Sequence, residues 1–225
     1  MKLCRKNLPN RSKYKAISLK QCHKENGHLG KCDEFPYLSQ LAKDHRRVAN
    51  KIKRDSTMTT GAAWKSDDAG PNRIPRWVML LSDKDLKDFN IDMSQLKPSV
   101  VSKLRDKSAS YENCMEVAGK LTHLVYQMKD APNCDANIKK YLEARYGSMI
   151  IGSTTCIVCR EKISFKLFSL AQRGKAEIET AHSDPRKHTA DNVGFAHREC
   201  NIAQGNKTLK EFYSWMKEIL ERIES

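Results

Sequence analysis

Four residues near the C-terminal end of the chain have the types and spacing of a metal site. Two residues separate Cys156 from Cys159, and two separate His197 from Cys200. A Cys-x2-Cys turn directs both thiolates at one point, and a second pair completes the tetrahedral Cys3His set of many structural zinc sites. We therefore predict that these four residues hold a structural Zn2+. The alternative is that these cysteines are buried thiols without a metal, but two pairs at this spacing rarely occur by chance.

The segment between these pairs is predicted to form a strand, a loop and a second strand. Residues 176–182 alternate apolar and polar side chains, as a half-buried strand does, and a Ser-Asp-Pro turn follows. Residues 193–196 fit the second strand. Beyond Cys200, Thr208 and Glu211 form a capping box for a terminal helix. That helix has one apolar stripe: Leu209, Phe212, Met216, Ile219, Leu220 and Ile223.

Three motif elements in this region resemble the HNH, or ββα-metal, nucleases. They are His182-x2-Pro185, Asn192, and Cys200-Asn201-x3-Gly205. The resemblance covers the last third of the chain. It implies an α+β fold class in which a zinc-bound C-terminal ββα-metal module follows a mostly helical, basic N-terminal region. It also implies phosphodiester hydrolysis with a catalytic divalent cation, usually Mg2+, for which Mn2+ can substitute.

The resemblance also implies a role for each motif residue. His182 matches the general base that takes a proton from the attacking water, Asn192 matches the asparagine that braces the loop between the strands, and Asn201 matches a ligand of the catalytic metal. The chemistry is reasonable, because a histidine titrates near neutrality. An oxygen-ligated Mg2+ neutralises the charge that develops on the phosphate.

The chain departs from the family pattern at Ala181, where many members have an aspartate that binds the metal. Asp184, Glu179 and His188 are candidates for the missing ligand. We favour Asp184, because it shares strand parity with His182. Alternatively, His182 itself binds the metal and another residue is the base.

Composition indicates a nucleic-acid partner. The 225 residues have a formal net charge of +14, and residues 1–75 contain 17 basic and 7 acidic side chains. Such a basic block attracts phosphates without regard to sequence, although a merely soluble basic surface is the alternative. No apolar run approaches the roughly 18 residues of a membrane helix, and no signal peptide is evident. We expect a cytoplasmic protein with reduced cysteines.

The N-terminal third contains the candidate DNA contacts. Residues 36–53 have the periodicity of a helix with one apolar and one basic face, and residues 55–76 have the composition of a long loop. A basic helix face and a loop rich in arginine suit contacts to a DNA backbone, although a solvated face and a plain linker are the alternatives. The candidates are Arg46, Arg47, Lys51, Arg73 and Arg76.

A second zinc site is a further expectation for the N-terminal region. Cys22-x5-His28-x3-Cys32, with Cys4 as a fourth ligand, would stabilise a stretch that has few large apolar residues. Three unrelated thiols are the more ordinary interpretation.

We divide the chain into three regions. Residues 1–76 form a basic, DNA-contacting region, residues 77–150 a helical support or dimerisation region, and residues 151–225 the nuclease module. Residues 99–146 have the pattern of helices broken at 130–133, and Asp135 is a suitable cap for the last of them.

Among HNH proteins, a chain of this size with a basic extension most resembles a type II restriction endonuclease. The implied activity is site-specific cleavage of double-stranded DNA by a homodimer. One alternative is a phage, homing or structure-specific HNH nuclease that nicks DNA. Another alternative is a zinc-containing DNA-binding protein without nuclease activity. The absence of the metal-binding aspartate at position 181 is the reason for considering it.

Overall fold

A computed structural model of the protein describes residues 2–7, 21–24, 27, 31–59, 74–88, 91–170 and 176–224. Two residues from the predicted sites, His28 and Arg73, lie outside this part of the chain. Within it, no helix is both long enough and apolar enough to cross a membrane.

The predicted helix over residues 36–53 is a short 3-10 helix, Pro36–Leu38, followed by α1 (Ser39–Asp44) and α2 (Arg46–Thr57). The break lies at His45, whose backbone is not helical. Its ring contacts Phe165 edge to face, with the centroids 4.9 Å apart. Helix α2 buries Val48, Ala49 and Ile52 against the core and keeps its arginines at the surface.

The middle of the chain is helical, as predicted, with more interruptions than the sequence pattern indicated. It contains a 3-10 helix Arg76–Leu80, α3 (Asp83–Asp88), a 3-10 helix Met93–Gln95, α4 (Pro98–Asp106), α5 (Tyr111–Tyr126) and α6 (Ala136–Tyr146). Asp135 caps α6 as predicted, because its carboxylate accepts hydrogen bonds from the Asn137 and Ile138 amides.

The C-terminal part has the predicted order of strand, loop, strand and helix. After α7 (Phe165–Ser169), strands β1 (Ile178–His182) and β2 (Val193–His197) pair antiparallel, with His182 opposite Val193. Helices α8 (Arg198–Gln204) and α9 (Leu209–Glu224) follow. The predicted capping box is present: the Thr208 amide donates to the Glu211 carboxylate at 2.7 Å, and the Glu211 amide donates to Thr208 Oγ1 at 3.2 Å.

One main hydrophobic core takes side chains from all three predicted regions, including Leu41 and Ile52, Val117 and Leu121, and Ile178 and Phe195. A smaller core unites the 3-10 helix Arg76–Leu80 with α3 and α4. The result is a mixed α+β protein in which the β1–β2 hairpin packs against α5 and α7.

The apolar stripe of α9 is mostly uncovered in the single chain. Phe212 is buried, whereas Met216, Leu220 and Ile223 are 42%, 53% and 75% exposed. An exposed row of apolar side chains on one helix face is typical of a surface that contacts another molecule.

Gly194 in β2 allows the Cys156–Cys159 turn to lie close against the hairpin. A Cβ at this position would collide with Cγ2 of Ile157, and the Ile157 amide donates to the carbonyl of Phe195 at 2.9 Å. A side chain at position 194 would therefore force the turn and the strand apart.

We predict that Gly194→Ala lowers the free energy of unfolding by about 1–3 kcal/mol, the usual cost of overpacking. Chemical denaturation of the full chain measures this. In an Ile157→Ala background the same substitution is expected to cost less, because the colliding methyl group is gone. An equal cost in both backgrounds would show that the Ile157 contact is not the cause.

Candidate active site

The four predicted zinc ligands come together at the base of the hairpin. The thiols of Cys156, Cys159 and Cys200 and a ring nitrogen of His197 all lie within 4.8 Å of one another. Cys159 Sγ is 3.3 Å from His197 Nδ1. His197 ends β2 and Cys200 lies in the first turn of α8, so the cluster links the turn at 156–159 to both elements.

The chemistry of this cluster fits zinc. Burial raises the pKa of the Cys156 thiol, but backbone N–H groups of Cys159, His197 and Val158 outweigh burial and lower this pKa to about 7. The thiolate that Zn2+ requires is therefore accessible near neutral pH. Three sulfurs and one imidazole nitrogen form a Cys3His set.

A cleft of about 730 Å3 separates α2 from the hairpin and α8. Its walls are rich in cations: Arg47, Lys51, Arg54, Arg76, Lys107 and Lys187. His182, His188, Glu179 and Asn201 line the same cleft. The structure thus places His182 and Asn201 of the HNH-like motif opposite the basic face of α2.

Two histidines form a relay that fixes the tautomer of His182. His188 Nε2 is 2.7 Å from the carbonyl oxygen of Ser56, which can only accept, so His188 Nε2 is the donor. Neutral His188 then has its lone pair on Nδ1, which lies 2.9 Å from His182 Nε2. His182 must donate through Nε2, and its own lone pair is therefore on Nδ1.

Both histidines are neutral at physiological pH. Burial, together with the cations Arg76 and Lys107, lowers the pKa of His182 to about 4. Burial and Arg76 lower the pKa of His188 to about 3. A neutral imidazole with a defined lone pair is the form that can accept a proton.

Asn192 braces the loop that leaves β1. Its Oδ1 accepts from the Asp184 amide at 2.8 Å, while its Nδ2 donates to the carbonyls of Asp184 at 2.8 Å and Lys187 at 2.7 Å. One side chain thereby satisfies three backbone groups between His182 and His188, which holds both rings in place.

Asn201, in the first turn of α8, lies beside Glu179 of β1. Its Nδ2 donates to Glu179 Oε2 at 2.8 Å, which places the Glu179 carboxylate beside the side-chain amide of Asn201 in the cleft. Asp184 has different neighbours, because its carboxylate lies 4.0 Å from Arg186 and 3.8 Å from Lys187 and accepts from the Arg186 amide. Two of the candidate metal ligands, Glu179 and Asp184, therefore lie in distinct surroundings.

Comparison with known proteins agrees with this architecture. The family model DraIII matches residues 34–200. The chain belongs to the DraIII family. A solved structure, described as the crystal structure of a type II restriction endonuclease, is 45% identical, with a TM-score of 0.87 over 100% of this chain and 99% of that chain. No curated protein matches. This DraIII-family chain thus has a restriction-endonuclease-like fold.

The predicted DNA contacts occupy different places in this DraIII-family structure. Arg47 and Lys51 line the cleft, and Arg46 is an exposed residue of α2 outside the cleft lining. Arg76 also lines the cleft but is only 6% exposed, with its guanidinium donating to the carbonyls of Lys107 and Asp55. The geometry assigns Arg76 to the support of the cleft wall.

Asp55 joins the two sides of the cleft, which sequence reasoning missed. Its carboxylate accepts from Lys51 at 2.8 Å, from Arg54 at 2.7 Å and from Thr180 Oγ1 of β1 at 3.0 Å. Burial raises the pKa of Asp55, but Lys51 and Arg54 outweigh burial and hold this pKa below its usual value. The i, i+4 spacing of Lys51 and Asp55 was a sequence signal for the ion pair, but nothing in the sequence indicated the contact with Thr180.

Proposed function

We propose that this DraIII-family protein is a site-specific endonuclease of double-stranded DNA that hydrolyses phosphodiester bonds by an HNH mechanism. The observation that carries the proposal is the relay from Ser56 through His188 to His182, which presents a neutral base inside a cation-lined cleft. The similarity to a type II restriction endonuclease supports the same activity.

His182 is the proposed general base. Its Nδ1 lone pair accepts a proton from the water that attacks phosphorus, and its Nε2–H stays hydrogen-bonded to His188 as the ring becomes positively charged. Asn192 keeps the loop between these histidines rigid, so the ring does not have to reorient during the reaction.

Glu179 and Asn201 are the proposed ligands of the catalytic metal. A carboxylate and an amide oxygen are the donors that Mg2+ prefers, and Glu179 replaces the aspartate that is absent at Ala181. When bound, Mg2+ would stabilise the negative charge on the phosphate and the leaving oxygen. Glu179 is preferred to Asp184 because Glu179 contacts Asn201, whereas Asp184 has Arg186 and Lys187 beside it.

The Cys3His cluster is proposed to hold a structural Zn2+. Its ligands come from the turn at 156–159, from the end of β2 and from α8. Because Asn201 follows Cys200 directly, the zinc would fix the position of Asn201 relative to β1, and metal binding would stabilise the hairpin and α8 as one unit.

The cleft is proposed to receive the DNA backbone. Arg47 on one wall and Lys187 on the other supply positive charge without base specificity. Lys51 and Arg54 line the same cleft but share their charge with Asp55. A homodimer would cut both strands, and the exposed row of Met216, Leu220 and Ile223 on α9 is the proposed contact between copies.

We expect the purified protein with Mg2+ to cut mixed linear DNA into discrete fragments whose sequenced ends share one site. His182→Ala is expected to reduce the rate at least about 100-fold, the lower end of what a general base contributes. Single nicks or a preference for branched DNA would favour a nicking nuclease. Identical traces for the wild type and His182→Ala would instead favour a DNA-binding protein without activity.

Two substitutions of His188 test the relay. His188→Asn keeps an acceptor near the Nδ1 position for His182, whereas His188→Gln keeps a donor near the Nε2 position for Ser56 and loses that acceptor. We predict that kcat falls about 10-fold for His188→Asn and about 100-fold for His188→Gln, with little change in KM, in steady-state cleavage assays. Equal losses in both variants would show that His188 only supports the fold.

The metal ligand is tested with a matched pair of variants. Glu179→Gln removes the charge but can still accept from Asn201, and we expect the Mg2+ concentration for half-maximal cleavage to rise about 10- to 100-fold. Asp184→Asn is the control and is expected to leave this concentration unchanged. The opposite pattern would return the role to Asp184, as the sequence predicted.

A further inference from the structure

Three cysteine side chains converge in the N-terminal part of the described chain, apart from the Cys3His cluster. The thiols of Cys4, Cys22 and Cys32 lie within 4.8 Å of one another. Cys22 is fully buried and the other two are half-buried. Three cysteines that are distant in sequence therefore place their thiols, which are soft metal ligands, at one point.

Backbone hydrogen bonds assemble this cluster from three segments. The Cys4 amide donates to the carbonyl of Lys24 and the Arg5 amide donates to that of Cys22, both at 2.9 Å. The His23 amide donates to the carbonyl of Asp33 at 2.8 Å, which adds the segment that carries Cys32. The Asp33 amide lies 3.4 Å from Cys22 Sγ, an N–H contact that favours the thiolate form of this sulfur.

These segments have little apolar surface to hold them together. Among the described residues of the stretch 2–33, Cys22 is the buried apolar side chain and His23 the buried polar one. Several charged residues surround them, including Lys2, Arg5, Lys6, Lys24 and Lys31. Short segments without a core usually need a metal or a disulfide to be ordered.

We propose that Cys4, Cys22 and Cys32 bind a second Zn2+. Thiolates at about 2.3 Å from a tetrahedral zinc lie about 3.8 Å from one another, and the three sulfurs, which all lie within 4.8 Å of one another, can reach that arrangement with small movements. Soft sulfur ligands select zinc over Mg2+ or Ca2+. His28, which the sequence predicts as a further ligand, lies outside the described part of the chain and is not part of the proposed site.

A disulfide is the competing explanation for close thiols, and it accounts for only two of the three. A zinc ion uses all three sulfurs and needs no oxidant. The site would anchor the basic N-terminal segments to the helical support, because Tyr111 Oη accepts from the Gln21 amide at 2.9 Å and Tyr141 donates to the carbonyl of His23 at 3.2 Å. The proposal is independent of the nuclease activity.

Zinc content of the full-length protein, purified with zinc present and measured by inductively coupled plasma mass spectrometry, tests the site. We expect two zinc ions per chain in the wild type and one in Cys22→Ser and Cys32→Ser, which keep the Cys3His cluster. Cys134→Ser, which removes a half-buried thiol outside both clusters, is the control and should keep two. A zinc content in Cys22→Ser and Cys32→Ser equal to that of the wild type would overturn the proposal.

Alkylation of the wild-type protein gives a second test that does not depend on how the variants fold. Native protein is treated with iodoacetamide before and after zinc chelation, and the modified cysteines are located by peptide mass spectrometry. We expect Cys4 and Cys32 to react only after chelation and Cys134 to react equally in both samples. The zinc site would be contradicted if Cys4 and Cys32 were modified to the same extent before and after chelation. A disulfide between any two of the three cysteines would also contradict it.

Discussion

The hydrogen bond from His188 to the carbonyl of Ser56 is the contact on which the candidate active site depends. Ser56 belongs to the last turn of α2, far from the hairpin in sequence, yet its carbonyl determines which nitrogen of His188 carries the proton. That choice in turn determines the tautomer of His182. A backbone carbonyl of α2 thereby sets the tautomer of a histidine in β1, and the candidate site is not contained in the C-terminal module alone.

The contact between α2 and the hairpin also explains the electrostatics of the cleft. Arg76 is buried, and its guanidinium donates to the backbone carbonyls of Lys107 and Asp55. Its charge is therefore fixed near His182 and His188, where it helps to lower their pKa values. Asp55 balances part of this charge and links α2 to β1 through Thr180. A buried cation therefore helps to keep both histidines neutral, while Arg46 and Arg47 of α2 are exposed.

The local parts of this site were predictable from the sequence. Alternation identified β1, the capping box identified the start of α9, and the spacing of Cys156, Cys159, His197 and Cys200 identified a cluster that the structure assembles. The break in the helix at His45 was not predictable, because tertiary contact with Phe165 overrides a periodic pattern. Nor was the role of His188, since its partner Ser56 is 132 residues away and nothing in a single sequence reports such a pairing. The ligands of the catalytic metal stay a prediction. Strand parity favoured Asp184, whereas the contact between Glu179 and Asn201 of α8 favours Glu179.

The contacts between the hairpin and the preceding helices also mean that the C-terminal module cannot be separated from the rest of the chain without loss. The main core takes side chains from all three regions of the chain, and His188 Nε2 has its carbonyl partner in α2. Separation of the hairpin from α2 would replace the carbonyl acceptor of His188 Nε2 with water, and the tautomer of His182 would no longer be fixed. The hairpin and α8 carry the motif residues His182 and Asn201, but the candidate site is completed by contacts with α2. The link between α2 and β1 and the tautomer of His182 therefore depend on the same short segment, residues 55–56.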